Sequence, residues 1–180
     1  MLEVTHMNET IASIGGRRSV RQYSDIPVDR DTIEVLLRAG MAAPSAGNRQ
    51  PWEIIVVTRK EILEELARVK VGASMLREAP LCIAVCGNRE RFYSESEAQE
   101  YWVQDCSAMT ENILVAATSL GLGTCWCGVF PRKRNVEAVA KILGFPDGII
   151  PLNLIALGYP NEDPPVKDKW SAERVHWEGW

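Results

Sequence analysis

Apolar residues along this chain fall into two patterns, stripes at helical spacing and short unbroken runs, and their alternation lays out the predicted elements. A first helix over residues 8–14 stops at Gly15-Gly16, which leaves Arg17-Arg18-Ser19-Val20-Arg21 in a loop. Asp29 is placed as an N-cap, with Val28 and Ile33 as a hydrophobic staple. Ile33, Leu36, Leu37 and Met41 then form the inner face of a second helix reaching to about Ala43. Pro44 forbids easy continuation, and residues 44–51 are a turn-rich loop closed by Pro51. Residues 53–58 carry Ile54-Ile55-Val56-Val57 without alternation, the pattern of a central strand covered on both faces. Ile62, Leu63, Leu66 and Ala67 mark a helix near residues 60–70, and residues 81–86 give a second continuous strand.

A polar stretch with Arg89, Arg91, Glu95 and Glu97 follows, and then a long helix whose stripe is Trp102, Asp105, Met109, Ile113, Ala116, Ala117 and Leu120. Its late small residues let another backbone approach closely, and Gly121-Leu122-Gly123 stops it with a sharp helix-to-strand turn. A third strand covers residues 124–127. A further helix after Pro131 turns Val136, Val139, Ala140 and Leu143 inward, and a fourth strand over residues 152–157 ends at Gly158-Tyr159-Pro160. Taken alone, these unbroken runs point to parallel pairing. The tail over residues 162–180 is rich in proline and charge yet holds Trp170, Trp177 and Trp180, which predicts a docked tail, on a partner subunit.

Composition narrows the class. A chain of 180 residues with 46% hydrophobic and 24% charged residues can bury a real core, so residues 1–180 read as one folded domain. A net charge of -4 argues against a nucleic-acid or anionic-membrane binder, so any anion site is local. No apolar run has the length of a signal peptide or a membrane span, which predicts a cytoplasmic protein. The five cysteines sit in apolar surroundings and read as reduced core thiols. Two histidines, His6 and His176, at opposite ends and no paired Cys-x-x-Cys leave no expected metal site.

Three segments carry candidate chemistry. Arg17, Arg18 and Arg21, with Ser19 between them, place three guanidinium groups within five residues of an acidic protein. Guanidinium forks bind phosphate bidentately, and a solvated charged loop is the alternative reading at this point. The loop over residues 44–52 brings hydroxyl, amide and backbone donors beside Trp52, a set suited to the edge of a heteroaromatic ring, or equally an ordinary turn with a core tryptophan. Gly121-Leu122-Gly123 follows a helix and lacks the third glycine of a dinucleotide fingerprint, so it is no Rossmann motif, whereas Gly128 lets backbone approach a ligand. Ser45 lies in no Gly-x-Ser-x-Gly elbow, and no acid–base set stands out. Visible binding groups without visible catalytic groups suit an enzyme whose chemistry resides in a cofactor.

In content, order and separation these segments resemble the FMN-dependent nitroreductases: Arg17-Arg18-Ser19-Val20-Arg21 with Tyr23, residues 44–52, then residues 121–128, Gly158-Tyr159-Pro160 and Lys167-Asp168-Lys169-Trp170. The resemblance spans nearly the whole chain. It implies an α+β fold, a central mostly antiparallel sheet flanked by helices, in an intertwined homodimer with FMN at the subunit interface. On the family's pattern Arg17, Ser19 and Arg21, with Arg18, hold the FMN phosphate and ribityl groups, assisted by Lys167 and Lys169. Pro44, Ser45, Ala46 and Asn48 reach the flavin from the other subunit, and backbone around Cys127 and Gly128 faces the ring near N5.

The implied activity needs no protein nucleophile and names no catalytic side chain. NADH or NADPH gives hydride to the flavin and leaves, and a small-molecule acceptor such as a nitroaromatic, a quinone or a flavin takes its place, by a ping-pong mechanism. A reductive dehalogenase, a flavin-fragmenting enzyme and a non-catalytic flavin carrier or sensor are the alternatives that the same resemblance leaves open. Residues 88–103 are the candidate lid.

Overall fold

Two strands are apolar at nearly every position because they are paired on both edges and covered on both faces. The computed structural model describes residues 8–95, 98 and 100–180, and within them β1 (Trp52–Val57), β2 (Leu81–Asn88), β3 (Gly123–Gly128) and β4 (Ile149–Gly158) form one sheet in the order β1-β2-β4-β3. All three pairings are antiparallel, not parallel as the unbroken runs alone suggest. A run of apolar residues reports coverage of both faces, and here helices on both sides cover an antiparallel sheet. The expectation that residues 53–58 form a central strand is also corrected. β1 lies at one edge, with Val56 exposed, and β2 and β4 are the inner strands.

Side chains alternate between two cores. Cys82, Ala84 and Cys86 of β2 with Leu154 and Ala156 of β4 face α3 (Lys60–Val69) and α5 (Lys133–Leu143), which contribute Leu63, Leu66, Ala67 and Val139. Leu81, Ile83 and Val85 with Ile155 and Leu157 face the other way, toward α2 (Arg30–Met41) and α4 (Tyr101–Ser119). A bulge opposite Val85 and Cys86 accommodates Pro151 in β4 and turns Leu152 into the α4 side of the sheet. Helix α4 buries one long stripe, Trp102, Asp105, Cys106, Met109, Thr110, Ile113, Leu114 and Ala117, against the sheet and α2.

The caps follow from the sequence. Asn8 accepts from Ile11 N to open α1 (Glu9–Gly16), and Asp29 accepts from Thr32 N at 2.8 Å to open α2. Helix α1 takes in Gly15 and Gly16 and is capped by extended Arg17, one turn-end later than the glycine pair suggests. Helix α2 stops at Met41, short of Ala43, and both Met41 and Leu120, expected inside, are exposed. The close approach to α4 is made by Gly40 of α2 against Ile113 and Met109, where an added Cβ would lie 2.8 Å from Ile113 Cγ1, and not by the small residues late in α4. All five cysteines are buried and free, as their apolar surroundings predict. The expected docking of the tail holds only for its start within one chain, and Trp170, Trp177 and Trp180 are exposed. His6 and Glu97 lie outside the described residues, as does part of the candidate lid. No helix among those described is long and apolar enough to cross a membrane.

Candidate functional site

The basic segment is seated beside β3 by one glycine and one tyrosine. Ser19 pairs with Thr124 in a parallel bridge, and Val20 N donates to Thr124 O at 2.9 Å. This is possible because Gly123 has no side chain, since a Cβ there would lie 2.8 Å from Val20 Cβ and Cγ1. Buried Tyr23 donates its hydroxyl to Val20 O at 2.6 Å, and burial pushes that phenol's pKa upward. In extended backbone alternate residues share a face, which sets Arg17, Ser19 and Arg21 opposite Arg18 and Val20.

The four polar residues then part company. Arg18 pairs with Asp163 at 2.7 Å and donates to Pro164 O at 2.6 Å, beside a cavity of about 130 Å³ lined by Gly16, Leu122, Glu162 and Asp163. Arg17 pairs with half-exposed Glu111 of α4 at 3.5 Å. The Arg21 guanidinium donates to Ser19 O at 3.2 Å and pairs with no carboxylate among the described residues. Its backbone N donates to Glu162 Oε1 at 2.5 Å. Arginine donors in excess of local acceptors suit an anionic oxygen ligand. The Cys125 thiol beside this segment has its pKa lowered, first by its side-chain interaction with Cys127 and then by Arg21 and Arg17, against the opposing effect of burial. Cys127 is pushed the other way by that same interaction and by burial.

The second candidate group, Pro44, Ser45, Ala46 and Asn48, lies on a tight turn whose hydrogen bonds are mostly its own. Asn48 N and Arg49 N donate to Ser45 O and Ala46 O, and Gln50 N donates to Ser45 Oγ at 2.9 Å. Gly47, Asn48 and Gln50 all have positive φ, of 56°, 53° and 48°. Ala46 N donates to Asp105 Oδ1 at 2.9 Å, which ties the turn to α4. Burial raises the pKa of the Asp105 carboxyl, and the Ala46 N–H partly offsets that rise.

At the end of β3, Cys127 turns its side chain into the core against Met75 at 3.6 Å. Gly128 is exposed, and a Cβ there would meet nothing within 4 Å, so its backbone is open to a ligand. Lys167 and Lys169 are exposed on the tail, within about 10–17 Å of chain reach from Pro164. The structure thus joins the basic segment to β3 and to the start of the tail, and joins the turn at residues 44–50 to α4. No hydrogen bond or ion pair links these two groups among the described residues. Their anchors on α4, Asp105 and Glu111, stand six residues apart, about 9 Å along the axis and about 120° around it.

Sequence reasoning missed Asp105 as an anchor, although an acidic residue inside the apolar stripe of α4 was the available signal. It also missed Arg91 and Tyr93, which carry no motif, and assigned no role to Arg49 within the loop over residues 44–52, although the three meet around the same turn.

A family model described as the nitroreductase family matches residues 14–72 and 67–159. A protein of Archaeoglobus fulgidus, provisionally named an NADH dehydrogenase/NAD(P)H nitroreductase, is 40% identical over 177 residues, which cover 97% of this chain and 100% of the relative. The crystal structure of a similarly named protein of Parabacteroides distasonis has a TM-score of 0.90 at 42% identity, covering 97% of this chain and 100% of that one. The NADPH:FMN oxidoreductase of Vibrio harveyi in complex with NAD+ has a TM-score of 0.87 at 27% identity, covering 96% of this chain and 78% of that one.

Proposed function

The chain belongs to the nitroreductase family, and from that premise we propose that it is an NAD(P)H-dependent oxidoreductase that holds FMN and delivers reducing equivalents to a nitroaromatic, a quinone or a free flavin. The observation that carries the cofactor is the Arg21 guanidinium, which faces the same side as Arg17 and Ser19 and, among the described residues, has only a carbonyl as partner. Such a fork suits a terminal phosphate monoester, which FMN has and FAD lacks. Names among the relatives agree, since they include FMN reductases and an FMN-dependent nitroreductase.

When bound, FMN supplies a ring that takes hydride from the nicotinamide donor and yields it to the acceptor. The residues of this chain bind and orient. Arg17, Ser19 and Arg21 hold phosphate and ribityl oxygens, and Lys167 and Lys169 on the adjoining tail add positive charge. Arg18, committed to Asp163, acts from the far side by fastening the tail to the basic segment. Pro44, Ser45, Ala46 and Asn48 would present hydroxyl, amide and backbone groups to the ring edge, and the backbone of Cys127 and Gly128, open at Gly128, would lie against the ring. The basic segment and the turn lean on α4 at separated positions, and on the family's pattern the site would be completed across a homodimer, with each turn serving the partner's flavin. Donor and acceptor then use one open face in turn, which gives ping-pong kinetics. Five buried free thiols support a reducing compartment, the cytoplasm.

The test is direct. The purified protein is expected to carry or take up FMN in preference to FAD, to lose its yellow colour with NADH or NADPH under anaerobic conditions, and to regain it with a nitroaromatic or quinone. A protein that binds no FMN sinks this reading. Flavin that stays oxidised favours a carrier, and flavin that is consumed favours a fragmenting enzyme.

A further inference from the structure

The turn at residues 45–50 holds three residues in the left-handed region, two of them not glycine. Such backbone persists only where its surroundings over-determine it. Part of that constraint is internal, as described above. The rest comes from residues 91–93, on the segment that follows β2.

The contact is reciprocal. Arg49 of the turn donates through Nη1 to Phe92 O at 3.2 Å, and Arg91 donates through Nη1 to Gln50 O at 3.1 Å. The Arg49 guanidinium also lies 4.2 Å above the Tyr93 ring, and the Tyr93 hydroxyl covers Gly47 so closely that a Cβ there would be 2.3 Å away. Both sides of this contact are fixed from behind. Tyr93 packs edge-on against Tyr101 at 5.8 Å, Phe92 stacks on Trp102 at 5.2 Å, and Arg91 reaches Glu53 at 3.7 Å. Pro51 O accepts from Asn88 N at 2.7 Å and closes the far end of the turn.

We propose that Arg49, Arg91 and Tyr93 form a clasp that sets the left-handed turn in its ligand-facing shape before FMN arrives, so that they are positioning residues for the flavin edge approached by Ser45 and Asn48. The inference rests on the reading that this turn faces FMN. Two arginines donating in opposite directions across one gap hold the register of the turn against both lifting and sliding, which one hydrogen bond would not. Gly47 is required because the phenol occupies the place of its side chain. Pre-setting the turn spares the binding step the ordering of its backbone, so losing the clasp weakens cofactor affinity without removing any atom that touches it.

The experiment compares wild type with Arg49→Ala, Arg91→Ala, Tyr93→Ala, Tyr93→Phe and the double variant Arg49→Ala/Tyr93→Ala. Amide hydrogen exchange at residues 46–50 is measured without FMN, and FMN affinity by fluorescence titration. The three alanine variants should exchange at least about tenfold faster across the turn and bind FMN about three- to tenfold more weakly, the scale of one lost cation–π contact or hydrogen bond. Tyr93→Phe, which keeps the ring, should stay within about twofold of wild type, and the double variant should lose less than the sum of the two single losses because they share the cation–π contact. The visible circular dichroism of bound FMN should move toward that of free FMN in the alanine variants while urea midpoints change little. Unchanged exchange at residues 46–50, additive losses in the double variant, or looser exchange with unchanged FMN affinity would each overturn the clasp. Failure of the proposed function itself shows separately, as wild-type protein that binds no FMN.

Discussion

Replacing Gly123 with alanine tests whether the basic segment is held where the site needs it. The new Cβ would stand 2.8 Å from Val20 Cβ and Cγ1 and 2.9 Å from Cγ2. Carbon atoms rest comfortably at about 3.5–4.0 Å, so the segment must withdraw by roughly 0.6–1.2 Å. Val20 cannot rotate out of the way, because its own Cβ is one of the atoms touched. The Val20 N to Thr124 O bond, 2.9 Å long, lies directly in the strained region and stretches with that withdrawal. Overpacking of this kind costs about 1–3 kcal/mol. Part of it appears as lost fold stability and part as weaker FMN binding, since Arg17, Ser19 and Arg21 ride on the displaced backbone. FMN titration and urea unfolding of the same samples separate the two parts. Val20→Ala removes two of the three clashing atoms and Val20→Gly removes all three, so affinity lost in Gly123→Ala should return in that order when the changes are combined. Additive losses in both double variants, or wild-type FMN affinity in Gly123→Ala, would refute the argument that this approach positions the segment.

Asp105→Ala leaves the Ala46 N–H without its acceptor and should cost about 1–3 kcal/mol by urea unfolding, whereas Asp105→Asn keeps an acceptor oxygen and should recover most of it. Burial raises the folded-state pKa of Asp105 above its ordinary 3.8, so the folded state holds the proton more tightly than the unfolded one. Wild type should therefore lose stability relative to Asp105→Asn as pH rises from below 3.8 through that raised value, and a difference independent of pH between about 3 and 7 would contradict it. For the shared site, mixing equal amounts of an Arg21→Ala homodimer and an Asn48→Ala homodimer should restore about a quarter of the wild-type FMN sites once subunits exchange at random, and about half in isolated heterodimers, because one site of the heterodimer then carries both defects and the other none. Confirmed heterodimers without any wild-type-like site would place both motifs within one chain.

Helix and strand positions were legible because burial is written in the apolar pattern. The stripe from Trp102 to Ala117 and the unbroken runs at residues 81–86 and 152–157 became α4, β2 and β4. Strand direction was not legible from those runs, since an inner antiparallel strand covered on both faces looks the same as a parallel one. The edge position of β1 was hidden for a similar reason. Its face toward α3 is covered while Val56 is open, and nothing in Ile54-Ile55-Val56-Val57 distinguishes that from full burial. In the candidate site, the motif-bearing residues could be named, but Asp105, Arg49, Arg91 and Tyr93 act through contacts between segments about 40 to 60 residues apart. Arg18 and Arg21 are alike in sequence, and only the alternation of extended backbone and the position of Asp163 separate them.

The frame that gives these contacts their accuracy is α4. Its buried stripe from Trp102 to Ala117 cannot rotate or slide without breaking both its packing on the sheet and its seat against Gly40, so groups anchored to it keep a fixed separation. Asp105 fixes the turn and Glu111 meets Arg17, on directions about 120° apart around the axis. No hydrogen bond or ion pair joins the two groups within one chain among the described residues. A second copy related by a two-fold axis can instead lay its turn beside the first copy's basic segment, and the same rotation makes the reverse pairing. If the site is assembled from two copies, the fixed separation of its halves within each chain is what would make it reproducible, and cofactor binding would then be linked to association of the subunits.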